Sequence, residues 1–320
     1  MREYDFRIYS VREKKSKKRF AFFFLLIVIS VGFLYLFFVH KTEQRRTLGA
    51  SAVSEITYLA GKVVGPQNPL EDVVTKSLTG AKGSYSVVII NTKRHQSYAL
   101  NEHVVYDSAS LYKLWIMVVA FEEIQSGQLE EESDLTGDVE ELNKKFQISA
   151  DAAELTEGEV DFTVGSAITQ MITISHNYAA LLLTEKIGLT NVKKFLSDKG
   201  FHESTVGVDN EPPTTTAADI ALFFEKLSKG ELASPTNTQR MLALLKEQKL
   251  NNKLPRYLPE DAVIGHKTGE LGMYSHDAGF VSLPKSDYII VIMSKSDNPS
   301  DAQEHIARVS KAVYDYFANH

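Results

Sequence analysis

Apolar and polar positions divide the chain into stretches of different texture. From Phe20 to Val39, FAFFFLLIVISVGFLYLFFV runs for 20 residues without a charge. At ~1.5 Å per residue such a helix spans the ~30 Å hydrocarbon layer, so the pattern predicts a transmembrane segment. Residues 40–67 read as a juxtamembrane linker, with Gly65-Pro66 and Pro69 at its far end. Leu70 to Leu78 has helical spacing, and SVVII (86–90) and HQSYAL (95–100) are two β-type runs around the turn-like NTKR, which makes a hairpin. From about 107 to 250 apolar residues recur at three and four and alternation nearly vanishes, so this block reads as helical. Three runs rich in β-branched residues follow, AVIGHKT from Ala262, DAGFVSL (277–283) and YIIVIMS (288–294). An amphipathic helix over about Asp301 to Phe317 closes the chain.

Strand-forming pieces therefore sit at both ends of residues 68–320, with helices inserted between them. The simplest assembly is α+β: one five-stranded antiparallel sheet built from both chain ends, flanked by the terminal helices, beside a helical subdomain of about residues 107–250. A groove is expected where the two halves meet, a common place for a pocket.

Charge sharpens the domain plan. The first 19 residues carry eight Lys or Arg against Glu3, Asp5 and Glu13, or +5, which leaves −11 of the chain's −6 total for residues 20–320. The positive-inside bias places this tail in the cytoplasm and everything after Val39 outside. A cleaved leader is the alternative, since Leu48 to Ala52 offers small residues, but these lie about ten positions beyond an apolar core already longer than a signal peptide needs. An acidic exported part argues against nucleic acid as partner, and the basic tail suits anionic lipid. Without cysteine there is no thiol catalysis and no cysteine metal site; the nine histidines form neither HxH nor HExxH, so no metal or other cofactor is expected.

Three short motifs carry candidate chemistry. In YDSASLYKLWIMVVAF, the apolar spacing starts a helix near Asp107 or Ser108, with Ser108 as N-cap. Ser110 then falls in the first turn, where free N–H groups favour negative charge, and Lys113 lies three residues on, on the same face. A serine hydroxyl needs a base, and a lysine serves only when its pKa is depressed; Lys113, among Leu111, Leu114 and Trp115, is placed for burial. A snorkelling surface lysine beside a first-turn serine is the plain alternative. Ser282-Leu283-Pro284-Lys285 repeats the spacing at a strand end. The second motif is Ser175-His176-Asn177, a polar elbow between two helical runs, where Ser175 or Asn177 is otherwise simply an N-cap; Ser296-Asp297-Asn298 is a decoy after the last strand. The third is His266-Lys267-Thr268-Gly269, at the end of the strand that begins at Ala262, otherwise read as an edge lysine beside a hairpin glycine.

In this order and context, Ser-x-x-Lys, Ser-x-Asn and Lys-Thr-Gly resemble the signature of the penicillin-recognising serine enzymes, and of class A β-lactamases in particular. The resemblance runs from about residue 68 to the C-terminus and includes MITISHNYAALLLTEKIG, PPTTTAADIALFFEKL and HKTG followed by HDAGFV. It implies that Ser110 is the acylated nucleophile, Lys113 its base or proton relay, and Ser175 the proton shuttle to the leaving nitrogen. Asn177 then binds the substrate's amide side chain, and Lys267 and Thr268 its carboxylate, while Gly269 lets the substrate approach the strand. Backbone N–H groups of Ser110 and Glu270 form the oxyanion hole. His176 stands where the family usually has aspartate.

One departure concerns deacylation, for which class A enzymes use a glutamate on a long loop. Here GFHESTVGVDNEPPTTT offers only Glu203 and Glu211, and Glu211-Pro212 matches the family pair with roughly ten following residues missing. Two enzymes are consistent with this: a membrane-tethered β-lactamase in which Glu211 or a substitute activates water, or a penicillin-binding protein acting on D-Ala-D-Ala ends of peptidoglycan with slow deacylation. The partners implied are a β-lactam or a stem peptide. A catalytically silent wall-binding module is a third reading, opposed by the intact triplet.

Overall fold

The computed structural model describes residues 68–94, 96–207 and 212–320. The basic tail, the apolar segment 20–39, the linker and Glu211 lie outside the described residues. Among the described residues no helix is long and apolar enough to cross a membrane.

Helix α1 (Pro69–Ser77), capped by the Asn68 side chain, leads into the hairpin of β1 (Ser84–Asn91) and β2 (Ser97–Leu100). The inserted block opens with β3 (Tyr106–Asp107), a 3-10 turn (Ala109–Tyr112) and α2 (Lys113–Ser126). It continues through β4 (Asp134–Asp138), α3 (Val139–Lys145), β5 (Glu159–Thr163), α4 (Val164–Thr173), α5 (Asn177–Ile187) and α6 (Leu189–Lys199). Then come β6 (Thr214–Thr215), α7 (Ala217–Ser228) and α8 (Pro235–Lys246). The chain closes with β7 (Val263–Leu271), β8 (Tyr274–Ser282), β9 (Tyr288–Lys295) and α9 (Pro299–Asn319).

The five predicted strands form one antiparallel sheet in the order β2-β1-β9-β8-β7, which joins the two ends of the domain through the β1–β9 pair. Its centre explains the unbroken apolar run in β9. Ile289, Val291 and Met293 enter the core shared with the helical block, while Tyr288, Ile290 and Ile292 enter a second core under α1 and α9. Both faces of the strand are covered, so alternation is lost from the sequence although it is intact in space.

The inserted block differs from the expectation in one respect. It contains two small antiparallel ribbons, β3 with β6 and β4 with β5. Their strands are two to five residues long, and β4 and β5 each bury a single apolar residue, Leu135 and Val160, which is too little for a period to show. Helix α2 is the centre of the block and is apolar almost all round. Trp115 is wholly buried against Phe201 (ring centroids 4.9 Å apart) and Phe223 (5.2 Å, edge to face).

Trp115→Ala is expected to lower unfolding stability by about 3–5 kcal/mol, the usual cost of an aromatic-to-alanine cavity. Urea unfolding followed by circular dichroism measures it, and a loss below about 1 kcal/mol shows that this core collapses around the gap.

Candidate active site

The Ser110 corner begins with backbone strain rather than with a helix cap. Asp107 ends β3, and its carboxylate accepts the Ala109 N–H at 2.9 Å. Ala109 itself has φ +44, a left-handed conformation an alanine rarely adopts. The chain therefore enters α2 through a 3-10 turn, and the predicted cap does not form. Ser108 is buried, its hydroxyl donates to the Ala109 carbonyl (3.2 Å) and its N–H to that of Pro213 (2.9 Å), with no capping bond to the turn. Ser110, second in the turn and partly exposed, faces a cavity of about 790 Å³ between the sheet edge and the helical block.

Lys113 opens α2 and is fully buried. Its Nζ donates to the Ser175 carbonyl (2.6 Å), to Ser175 Oγ (3.3 Å) and to Asn177 Oδ1 (2.6 Å). The elbow thus reaches Lys113 with both of its outer residues. Neither is the cap: the α5 N-cap is His176, whose Nδ1 accepts the Ala179 N–H at 3.3 Å while its ring packs edge-on to Phe162. Ser175 is freed from capping by its own φ of +61, which turns the backbone so that carbonyl and hydroxyl both face the lysines.

Lys-Thr-Gly lies within β7 rather than at its end, on the edge strand of the sheet. Lys267 is fully buried, and its Nζ donates to Ser175 Oγ (2.9 Å) and the Thr268 carbonyl (2.8 Å). Ser175 Oγ therefore sits between two amines that are 154 positions apart in sequence, Lys113 and Lys267. Thr268, next in the strand, is buried as well. Gly269 has a tighter reason than substrate approach: a Cβ there would lie 3.2 Å from the Ser108 carbonyl oxygen and 3.3 Å from Leu111, so glycine lets β7 close on the 3-10 turn. Glu270 and Ser110 both line the cavity. Glu211 lies outside the described residues.

Three further residues shape the site: Lys253 and Glu154, which the sequence did not mark, and His276, a histidine expected to be structural or groove-lining. Lys253, from the loop before β7, is fully buried and pairs with Glu270 at 2.5 Å. Glu154 accepts the Asn177 Nδ2 hydrogen bond at 2.6 Å. His276 is buried with Nδ1 accepting the Ser294 N–H (3.2 Å), so its Nε2–H donates to the Asp107 carbonyl (2.9 Å) and ties the sheet to the Ser110 corner. Burial pushes the pKa of His276 down to about 4, which keeps this tether neutral. Nothing local marks these contacts, since each is made with a partner at least 17 residues away.

Burial governs the electrostatics. It moves the Lys113 pKa from 10.5 to about 7, against a smaller opposing pull from Glu154. Burial and then the Lys113 charge carry Lys267 well below an ordinary lysine. An amine near neutrality is what general-base activation requires, and the serine hydroxyl that Lys113 touches is that of Ser175. Among the described residues no group of acidic or histidine side chains is arranged to hold a metal ion.

An α+β domain with a buried lysine three residues after a cavity-facing serine, and a second amine shared through a hydroxyl, defines a serine hydrolase. Comparison with known proteins makes the class specific. Residues 69–317 match the family described as the beta-lactamase enzyme family, and the chain belongs to it. It is similar to the β-lactamase VEB-1 of Pseudomonas aeruginosa, 23% identical over 256 residues that cover 73% of this chain and 85% of that one. In fold it resembles PBP-A, with a TM-score of 0.69 at 24% identity, covering 80% of this chain and 97% of that one. It likewise resembles a mutant of PBP-A in its acyl-enzyme complex with penicillin G, with a TM-score of 0.69 at 25% identity, covering 80% and 98%.

Because the Lys113 amine is protonated below about 7 and free above it, the rate of acylation by a fluorescent penicillin is expected to rise with pH through about 7 and then level off. A profile that stays flat from about pH 6 to about pH 8 removes Lys113 from the role of base.

Proposed function

We propose that Ser110 is the nucleophile of a β-lactam-hydrolysing enzyme. Its Oγ attacks the lactam carbonyl carbon as Lys113 takes the proton. The C–N bond then breaks, and Ser175 passes a proton to the departing nitrogen. Asn177 binds the acyl amide, Lys267 and Thr268 receive the substrate carboxylate, and the N–H groups of Ser110 and Glu270 stabilise the oxyanion. Loss of one such donor typically costs about 10²–10³ in rate. Water then attacks the acyl ester and regenerates Ser110. The observation that carries this reading is the convergence of two buried amines on Ser175 beside the cavity that Ser110 faces. We further propose that residues 20–39 anchor the enzyme in the cell membrane with the domain outside.

A second reading, a D-Ala-D-Ala carboxypeptidase whose penicilloyl ester hydrolyses slowly, is favoured by the short connection between α6 and β6. Only residues 200–213 separate them, little chain in which to carry a glutamate to the ester. Both readings share the acylation step, and the lifetime of the acyl ester distinguishes them.

Mixing the purified protein with a fluorescent penicillin and a chromogenic cephalosporin separates them. Rapid turnover supports the β-lactamase, and an adduct that outlives many turnover times of a true β-lactamase supports the carboxypeptidase. Ser110→Ala is expected to abolish labelling and Ser108→Ala to retain it; an adduct on the Ser110 variant overturns the assignment.

A further inference from the structure

The groove is electrically lopsided in a way that the acylation chemistry does not use. Buried behind the sheet end are Lys267 and Lys253, the second paired with Glu270, which lines the cavity. At the elbow end stands Glu154, whose carboxylate accepts from Asn177 Nδ2 and makes no ion pair among the described residues. Lys145, which also lines the cavity, is already paired with Glu185 at 2.6 Å. Glu154 is exposed, yet its backbone is anchored. The adjacent Leu155 gives its N–H to the Tyr178 hydroxyl (3.1 Å), and its carbonyl accepts from that hydroxyl (2.7 Å) and from Asn143 Nδ2 (2.8 Å).

The Asn177 amide is oriented by its neighbours: the Lys113 amine donates to Oδ1, while the Glu154 carboxylate offers only acceptors and so faces Nδ2. One Nδ2 hydrogen goes to Glu154 and the other remains for the acyl carbonyl of a substrate. Two acceptors on one NH₂ group lie roughly 5 Å apart. A substituent on the carbon next to that carbonyl therefore comes within direct or water-bridged reach of the Glu154 carboxylate. The cavity wall also includes Ile116, Phe146, Ile148 and Leu181, apolar surface for the rest of the arm.

We propose that Glu154 is a specificity-determining residue that selects substrates whose acyl arm carries an ammonium group beside the amide carbonyl. Such a substrate is zwitterionic, with its carboxylate toward Lys267 and its ammonium toward Glu154. The inference rests on Ser110 acylation as proposed above. It applies equally to a β-lactam and to a peptide whose acyl part carries an ammonium on the carbon beside the amide carbonyl, because the recognised chemistry is the same.

Three penicillins that share a phenylacetyl arm isolate the effect: penicillin G with hydrogen at the α-carbon, ampicillin with an ammonium, and carbenicillin with a carboxylate. Acylation rates of the full-length protein are read by competition against a fluorescent penicillin. An exposed ion pair changes a rate by roughly two- to fivefold, so ampicillin is expected to exceed penicillin G by that factor and carbenicillin by about tenfold. The preference is expected to shrink at high salt and to collapse in Glu154→Gln, which keeps an acceptor for Asn177 without the charge. In Glu154→Lys the order is expected to reverse. An order that is absent in the native protein, or that survives Glu154→Gln, overturns the proposal. Failure of all three penicillins to acylate the native protein overturns the Ser110 reading and this one with it.

Discussion

Two lysines from opposite halves of the domain end on one serine, and the rest of the cleft depends on that meeting. Lys113 comes from the first turn of α2 and Lys267 from the edge strand β7, and both donate to Ser175. Burying one ammonium costs several kcal/mol even after relaxation, and a second like charge nearby adds repulsion. The system relieves this in two ways. The depressed pKa values let the amines shed their protons, and the Ser175 carbonyl and Asn177 Oδ1 supply acceptors for the hydrogens that remain. The same penalty that makes the arrangement expensive makes an amine basic at neutral pH.

Holding this geometry demands unusual backbone. Ala109 and Ser175, the residues at the two polar corners, have positive φ, and each such conformation typically costs about 1–3 kcal/mol. The surroundings leave them little alternative. The Asp107 carboxylate holds the Ala109 N–H, and His276 holds the Asp107 carbonyl from the sheet side. Gly269 lets the edge strand press against the same turn. On the other side, α4 ends at Thr173 and α5 starts at Asn177, so Ser175 occupies a break that neither helix can regularise. Strain on one wall is thus matched by packing on both, with Trp115 and its aromatic neighbours fixing α2 between them.

Much of the fold could be read directly from the chain. Five strand-like runs at the two ends, terminal helices and a helical insert predict the sheet that forms, because hydrophobic period is a local property and core burial enforces it. The candidate residues Ser110, Lys113, Ser175, Asn177 and Lys267 were singled out by order and spacing; the structure joins Lys113, Ser175, Asn177 and Lys267 by hydrogen bonds and sets Ser110 and Asn177 on the wall of one cavity. Their local settings were less legible. Ser108 was the natural helix cap by residue type, but the left-handed Ala109 displaces that cap; His176 takes the capping position expected of serine or asparagine.

The sequence by itself determined which segments become strands and helices, and which hydroxyls and amines are available for chemistry. Tertiary structure alone decided their state and company: that Lys113 is buried enough to lose its proton, that Lys253 pairs with Glu270 and His276 with the Asp107 carbonyl, and that Asn177 donates to Glu154. The physical reason is range. Secondary structure is set by residues three or four apart, whereas desolvation and hydrogen bonding in a cleft depend on groups that only chain closure brings within about 3 Å of one another.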